Sequence, residues 1–460
     1  MINGAVSFWY EDIGGVPSRR PALPGDIDVD VAIVGAGYTG LWTAYYLKKA
    51  DPSLRIAIVE REFAGFGASG RNGGWLSGEF GWSREHYAKS RGRDSVIALQ
   101  RAMWATVDEV IGVCAGEGID ADIVKGGCVR YAVGPAQRAR LEQSWDDERS
   151  WGVGPHDLRP LSADELRGRL NIADAVIGDW TPHAARIQPA KLVRGLAACV
   201  ERLGVQVYES TSVDRLEPHR VFTSHGTIQA EVTVRATEGF TAGLPGHRRD
   251  WLPMNSAMVV TEPLSDDQWN EIGWAGCEVL GDSAHAYLYA QRTRDGRIAI
   301  GGRGIPYRFG SATDVNGETT ERTIRMIQVL LQRAFPSLGD VRIDHAWCGV
   351  LGVPRDWCAT VGYDQRSGMA WAGGYVGIGV ATSNLAARTL RTLILHDGGA
   401  EADLAFVGRK VRRWEPEPLR WLGVHGLYRL YRAGDDSERR SDSVRPSRYA
   451  TIADRISGRY

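Results

Sequence analysis

Long apolar runs are missing from this 460-residue chain. No stretch approaches the ~18 consecutive apolar residues of a membrane-spanning helix, so no membrane span is expected. Charge of one sign is also missing. The chain has 55 basic and 56 acidic residues and a formal net charge of -1. No overall field attracts nucleic acid or an anionic membrane, and neither is expected as a partner. Cysteine is scarce: Cys114, Cys128, Cys199, Cys277, Cys348 and Cys358. None forms a C-x-x-C pair and no Cys/His spacing suits zinc, so a reduced, cytoplasmic protein without a metal is expected. The opening residues, MINGAVSFWYEDIGG, carry early acids and no basic stretch, which predicts no secretory leader.

What is present is an ordinary hydrophobic share of 43% and a length suited to two interleaved domains. Residues 1–28, rich in Pro, Gly and Arg, read as an extended arm with one aromatic cluster, Phe8-Trp9-Tyr10. Val29 to Val34 is a β-branched run and predicts a buried strand. A Gly-rich turn follows, then a helix over Leu41 to Lys49 ended by Asp51-Pro52, then a second buried strand over Leu54 to Val59. Strand, turn, helix and strand within about thirty residues make a βαβ unit. Further on, Ala286 to Arg292 and Arg297 to Gly301 predict a hairpin through the Asp295-Gly296 turn. Met369 to Leu395 repeats the strand, Gly-rich turn and helix. The last residues start helical and become polar and Arg-rich.

The first chemical motif is Gly35-Ala36-Gly37-Tyr38-Thr39-Gly40, a G-x-G-x-x-G between strand and helix. The first glycine allows the tight turn, the second the approach of a pyrophosphate, the third the packing of helix on strand. The helix start offers unpaired N–H groups to phosphate charge. Glu60 ends the second strand about 20 residues on. Its carboxylate suits a ribose and repels a 2′-phosphate, so the ligand is FAD or NAD rather than NADP.

Two further segments favour FAD. Gly65 to Gly74 (GFGASGRNGG) clusters glycines and small polar residues and exposes consecutive N–H groups to an anionic ligand, or else is a flexible loop. Trp371 to Gly379 (WAGGYVGIG) leads into a second helix. Joined to the first site, that helix start would stabilise negative charge on a reduced flavin; the alternative is a packing turn.

Taken with ATEGFT at Ala236 to Thr241, DGRIAIGGRG at Asp295 to Gly304 and GGYVGIGVATSNLAAR, these segments resemble the D-amino-acid-oxidase-like family of FAD oxidoreductases. The closest branch is the gamma-glutamylputrescine-oxidase-like one. The resemblance implies an α/β fold with an α+β substrate part: a Rossmann-type FAD domain (29–90, 185–245 and 345–400) interleaved with an antiparallel-sheet substrate domain (91–184 and 246–344), and a helical tail (401–460). It implies that Glu60 binds the adenosine ribose, with Arg61 beside it, and that Gly67, Ala68, Ser69, Arg71, Asn72, Gly73 and Gly74 approach pyrophosphate and flavin. Val213 would hold the adenine, and Ala236 and Thr237 would cover the cofactor. Gly374, Gly377 and Gly379 would lie near the pyrimidine side of the isoalloxazine, and Gly349, Tyr375 and Val380 would also bind the cofactor.

The chemistry implied by the resemblance is oxidation of a C–N bond in a small amine or amino acid. The imine then hydrolyses, and molecular oxygen reoxidises the flavin with peroxide release. Alternatives are a dehydrogenase with another acceptor, a flavin-binding subunit without turnover, and a nicotinamide dehydrogenase. Tyr287, Tyr289 and Arg292 are read as alternating along one strand and sharing a face, with Arg292 either forking a substrate carboxylate or serving a structural pair. Cys348 is either the site of a covalent flavin link, as in sarcosine-oxidase-like members, or a small buried residue. His285 and His345 are candidates for amine contact. Trp75 and Trp82 would wall the cavity. Arg409-Lys410-Val411-Arg412-Arg413 is either an anionic docking segment or a solvated basic helix end. Nothing in the sequence specifies an oligomeric state.

Overall fold

A computed structural model describes residues 1–81, 83–302, 307–314, 316–441 and 443–457. Strand Ile27–Val34 lies parallel to Ile56–Val59 on one side and to Gly226–Arg235 on the other. Gln206–Tyr208 extends the parallel set beyond Ile56–Val59, and Met369–Gly373 pairs with the end of Gly226–Arg235. Ile33, Ala32, Ala57 and Ile58 are fully buried because helices or strands cover both faces, as a parallel sheet requires. Helices Tyr38–Ala50 and Gly379–Leu395 share one hydrophobic cluster with that sheet.

The second sheet runs, in spatial order, Ile2–Asn3, Ile343–Pro354, Trp251–Thr261, Ile298–Gly302, Leu288–Arg292, Val279–Asp282, Cys128–Val133, Ala175–Thr181 and Arg159–Ser162. The Leu288–Arg292 and Ile298–Gly302 strands are antiparallel, and Thr293 closes their turn on Arg297. Helix Glu321–Ala334 covers one face of this sheet through Ile324, Ile327 and Leu331.

Three expectations are corrected. Residues 1–28 are not an arm: Ile2 and Asn3 pair in parallel with His345 and Ala346, and Phe8, Trp9 and Tyr10 are buried. Trp9 donates its indole N–H to the Asn72 carbonyl (2.8 Å), so this segment braces the GASGRNGG loop. Strand Ile343–Pro354 belongs to the second sheet, zipped to Trp251–Thr261, and not to the Rossmann sheet. Residues 409–413 are not helical. Arg409 pairs with Asp356, Arg412 with Glu415 (3.5 Å) and Arg413 with Asp250 (3.4 Å), so much of the positive charge there is matched within the chain.

Beyond them come helices Leu419–Arg439 and Arg448–Ser457. No helix among the described residues is long and apolar enough to cross a membrane.

Candidate functional site

The fingerprint glycines stand where side chains have no room. Gly35 has φ 105°, and a Cβ there would lie 2.6 Å from the Ala236 carbonyl oxygen. A Cβ on Gly40 would sit 2.0 Å from the Gly35 carbonyl oxygen, so only glycine lets the helix start directly over the turn. A Cβ on Gly37 would approach only the Ser69 hydroxyl, at 2.9 Å. The turn is held from both sides. Ala36 donates its N–H to Glu60 Oε2 (3.0 Å) and Tyr38 donates its N–H to Ser69 Oγ (2.8 Å). Glu60 Oε1 accepts from the Glu62 N–H (3.0 Å), and burial pushes the Glu60 carboxyl above its ordinary range.

A cavity opens on this turn. Among the residues singled out from sequence, it is lined by Gly35, Gly37, Tyr38, Thr39, Glu60, Arg61, Gly67, Ala68, Ser69, Asn72, Val213, Ala236, Thr237, Tyr375, Gly377, Gly379 and Val380. Glu60, Arg61 and Val213 mark one end. Tyr375, Gly377 and Gly379 mark another region, at the start of helix Gly379–Leu395. Thr39 and the Tyr375 hydroxyl are hydrogen-bonded at 2.9 Å. Two helix N-termini therefore serve one cavity, each with unpaired N–H groups and the positive end of its dipole. A phosphate-bearing dinucleotide fits this donor set, and the missing side chain at Gly37 leaves the turn's backbone open to its approach.

Other sequence candidates lie outside the cavity wall. Ala36 and Gly40 pack behind the turn. Gly73 and Gly74 sit under the second sheet, where Cβ atoms would meet the Tyr289 ring at 3.0 Å and the Gln291 amide at 1.8 Å. Gly349 packs on Arg71, and Gly374 against Pro354. Arg71 does not line the cavity. It is buried, donates to the Phe66 carbonyl (2.7 Å), pairs with Asp314 (2.7 Å) and stacks on the Phe66 ring.

Sequence reasoning missed several wall residues: Phe66, Thr211, Ser212, Glu238, Phe240, Val350 and Leu351. Glu238 was visible inside ATEGFT but carried no assigned role. Phe240 lies under the Arg61 guanidinium at 5.5 Å.

The substrate-side expectations need two corrections. Arg292 does not share a face with Tyr287 and Tyr289, because a strand alternates with period two and 292 has the opposite parity. Its guanidinium donates to the Trp274 carbonyl (2.8 Å) and lies 4.0 Å over the Trp269 ring, on the far face with Leu288 and Ala290. The residue on the tyrosine face is Gln291, whose amide donates to the carbonyls of Gly73 (2.9 Å) and Ile187 (3.2 Å). Tyr289 bonds Ser256 Oγ (2.6 Å) over Gly73, and Tyr287 lies beside it, ring centroids 6.4 Å apart.

Cys348 is the second correction. It packs with Ala257, Val259, Ile324 and Ile327 under helix Glu321–Ala334, and its thiol donates to the Glu318 carbonyl (3.3 Å). Burial pushes the thiol up to about 12, so it is held as an unreactive thiol away from the cavity. The expected result of acid denaturation is that all flavin leaves with the supernatant; flavin retained on the pelleted protein contradicts this placement.

The two histidines are structural. His345 bonds the Gly4 carbonyl (2.8 Å), and burial lowers its pKa. His285 stacks on Tyr431 and bonds Glu438 (3.0 Å). His285, Asp435 and Glu438 offer ligand atoms within 4.8 Å of one another. The Arg140 guanidinium, however, contacts both His285 (2.6 Å) and Glu438 (2.9 Å), which opposes a metal ion and makes the cluster a latch for helix Leu419–Arg439. Trp75 donates to the Ala290 carbonyl (3.1 Å), edge-on to Tyr289. Trp82 and the Arg303-Gly304 end of the DGRIAIGGRG segment lie outside the described residues.

A Rossmann unit and a distant second Gly-rich helix start on one cavity, beside a large mixed sheet, define a dinucleotide-binding α/β protein of the flavoenzyme type. Comparison with known proteins agrees. Residues 30–393 match the family described as FAD dependent oxidoreductase (DAO). The chain is 29% identical to the probable oxidoreductase OrdL of Rhizobium meliloti over 402 residues, covering 84% of this chain and 88% of that protein. It is 28% identical to the gamma-glutamylputrescine oxidoreductase of Escherichia coli over 399 residues, covering 85% and 89%. The fold is also that of glycine oxidase from Geobacillus kaustophilus, with a TM-score of 0.67 at 20% identity, covering 83% and 99%. The chain belongs to the FAD dependent oxidoreductase family, and its cofactor is FAD.

Proposed function

We propose that this protein oxidises a C–N bond in a small amine or amino acid, and that molecular oxygen takes the electrons. The observation that carries the proposal is the likeness to gamma-glutamylputrescine oxidoreductase over most of both chains, joined to a cavity on which two helix starts meet.

In this reading Glu60 and Val213 hold the adenosine end, Gly35, Gly37 and Ser69 the pyrophosphate, and Tyr375, Gly377 and Gly379 the flavin end. When bound, the flavin supplies a two-electron acceptor for the hydrogen on the carbon beside nitrogen. The chain's own residues orient and exclude water. Gln291 fixes the Gly73-Gly74 backbone, Tyr289 and Trp75 pack edge to face beside it, and the helix at Gly379 favours negative charge at its start. The substrate nitrogen, bound unprotonated, supplies the lone pair that forms C=N, and its proton goes to solvent. Water then converts the imine to a carbonyl compound and a free amine or ammonia.

Oxygen accepts two electrons and two protons to give peroxide. With an active substrate in air, one peroxide per substrate oxidised is the expected yield. Turnover that needs an added dye, with no peroxide, supports the dehydrogenase reading instead.

A further inference from the structure

Among the described residues, Glu238 is the one cavity-lining carboxylate outside the adenosine end, and its setting is unusual. Its backbone is left-handed, with φ 40°. A residue with a side chain holds that conformation only where other contacts fix it. Those contacts come through the carboxylate. It accepts N–H bonds from Gly374 (2.8 Å), Gly352 (3.2 Å) and Tyr375 (3.4 Å). A Cβ on Gly373 would lie 2.6 Å from Glu238 Oε2. The side chain thus ties the loop after strand Gly226–Arg235 to the end of strand Ile343–Pro354 and to the turn before helix Gly379–Leu395.

The charged and titratable groups facing it are Arg235 at the end of the preceding strand, Asp250 with His247 and Arg413 behind that arginine, and the Tyr375 hydroxyl. Arg235 gives only partial compensation. Its guanidinium lies 4.7 Å over Trp251 and 3.9 Å from Asp250, and its Nη1 has no hydrogen-bond partner among the described residues. Burial brings Arg235 down to about 10. Burial raises Glu238 to about 7, against the lowering by its three N–H donors and Arg235. Its charge therefore changes near neutral pH.

We propose that Glu238 is a positioning residue for the cofactor: its carboxylate fixes the turn that carries the second Gly-rich helix start, and its charge disfavours the reduced cofactor relative to the oxidised one. Two-electron reduction with one proton adds a negative charge to a flavin. The helix start at Gly379 favours that charge, whereas an ionised Glu238 opposes it. Reduction accordingly raises the proton affinity of Glu238, and near neutrality the protein takes up part of a second proton with the electron pair, at most about half for a tenfold coupling. The inference rests on FAD binding alone and not on the amine reading, and neither readout below uses a substrate.

The test is a dye-equilibrated potentiometric titration of the holoprotein, wild type and Glu238→Gln, at about pH 5.5 and about pH 8.5, either side of the Glu238 midpoint. Two electrons come from the dye and the protons from buffer. At the higher pH the Gln variant is expected to hold about tenfold more reduced cofactor at equal ambient potential, equivalent to about 30 mV for a two-electron couple. At the lower pH, with wild-type Glu238 protonated, the two proteins should agree within about twofold.

The second readout is proton uptake in weak buffer near neutrality. Wild type should take up more than one proton per electron pair and the variant one. Equal potentials at both pH values overturn the proposal. Should the variant fail to retain FAD, wild-type uptake of no more than one proton overturns it equally.

Discussion

Replacing Gly40 with valine is expected to give a protein that holds no FAD and unfolds well below the wild type. The cause is local and backbone-bound. Any Cβ at position 40 would lie 2.0 Å from the Gly35 carbonyl oxygen and 3.1 Å from Ile33 Cγ2. A carbonyl in the middle of a tight turn cannot rotate away, so helix Tyr38–Ala50 must lift from the sheet or the turn must open. Overpacking in a rigid core costs about 1–3 kcal/mol, and a clash with backbone belongs at or above the upper end. Opening the turn also displaces the helix start proposed to hold the pyrophosphate, and loss of that geometry is expected to weaken FAD binding by at least about 100-fold, or ~2.7 kcal/mol.

Gly37→Ala is the control. Its Cβ meets only the Ser69 hydroxyl at 2.9 Å, a side-chain end that can turn aside. It should cost less than about 1 kcal/mol of stability while still intruding on the cofactor. Thermal unfolding of the apoproteins, with FAD titration by fluorescence, separates the two effects. Wild-type FAD affinity in Gly40→Val contradicts the assignment of the turn.

Arg71→Met is expected to destabilise the fold by about 3–5 kcal/mol, the cost of leaving one member of a buried ion pair alone. The Arg71 and Asp314 side chains are 1% and 2% exposed and 2.7 Å apart. Asp314 also accepts from the Gly317 N–H, and Arg71 also donates to the Phe66 carbonyl, so the pair joins the GASGRNGG loop to the segment before helix Glu321–Ala334. The double replacement Arg71→Met with Asp314→Asn should lose less than Arg71→Met alone. The amide removes the stranded charge and still accepts from Gly317. Urea unfolding of the four proteins of this cycle measures the coupling. Additive losses would mean that the pair contributes little beyond its separate contacts.

What was legible from the sequence was local. Gly35, Gly37, Gly40 and Glu60 sit within one βαβ unit, where spacing alone specifies which atoms meet. The second Gly-rich helix start was recognisable as a motif. Its meeting with the first, through Thr39 and Tyr375, was not, because those residues are brought together only by the packed helices. The family resemblance implied a cofactor-facing role for Arg71, and its actual partner Asp314 is too far along the chain for spacing to reveal.

The Pro- and Gly-rich first residues resembled a loose arm. Their pairing with His345 and Ala346 is a long-range contact that composition cannot reveal. Arg292 is a different case. Period two was enough to place it opposite Tyr289 and to put Gln291 on the tyrosine face instead. For Cys348, parity separates it from Trp347 and Gly349, but only the fold shows that helix Glu321–Ala334 covers its side of the sheet.

The most direct test of the central claim is anaerobic mixing of the purified holoprotein with a panel of primary amines, secondary amines and amino acids, followed by flavin absorbance. Bleaching by at least one of them is expected, with the matching imine or carbonyl product and no bleaching by the corresponding alcohols. Flavin that dithionite reduces readily but that stays oxidised across the whole panel would contradict it, and would favour a flavin-binding protein without amine turnover.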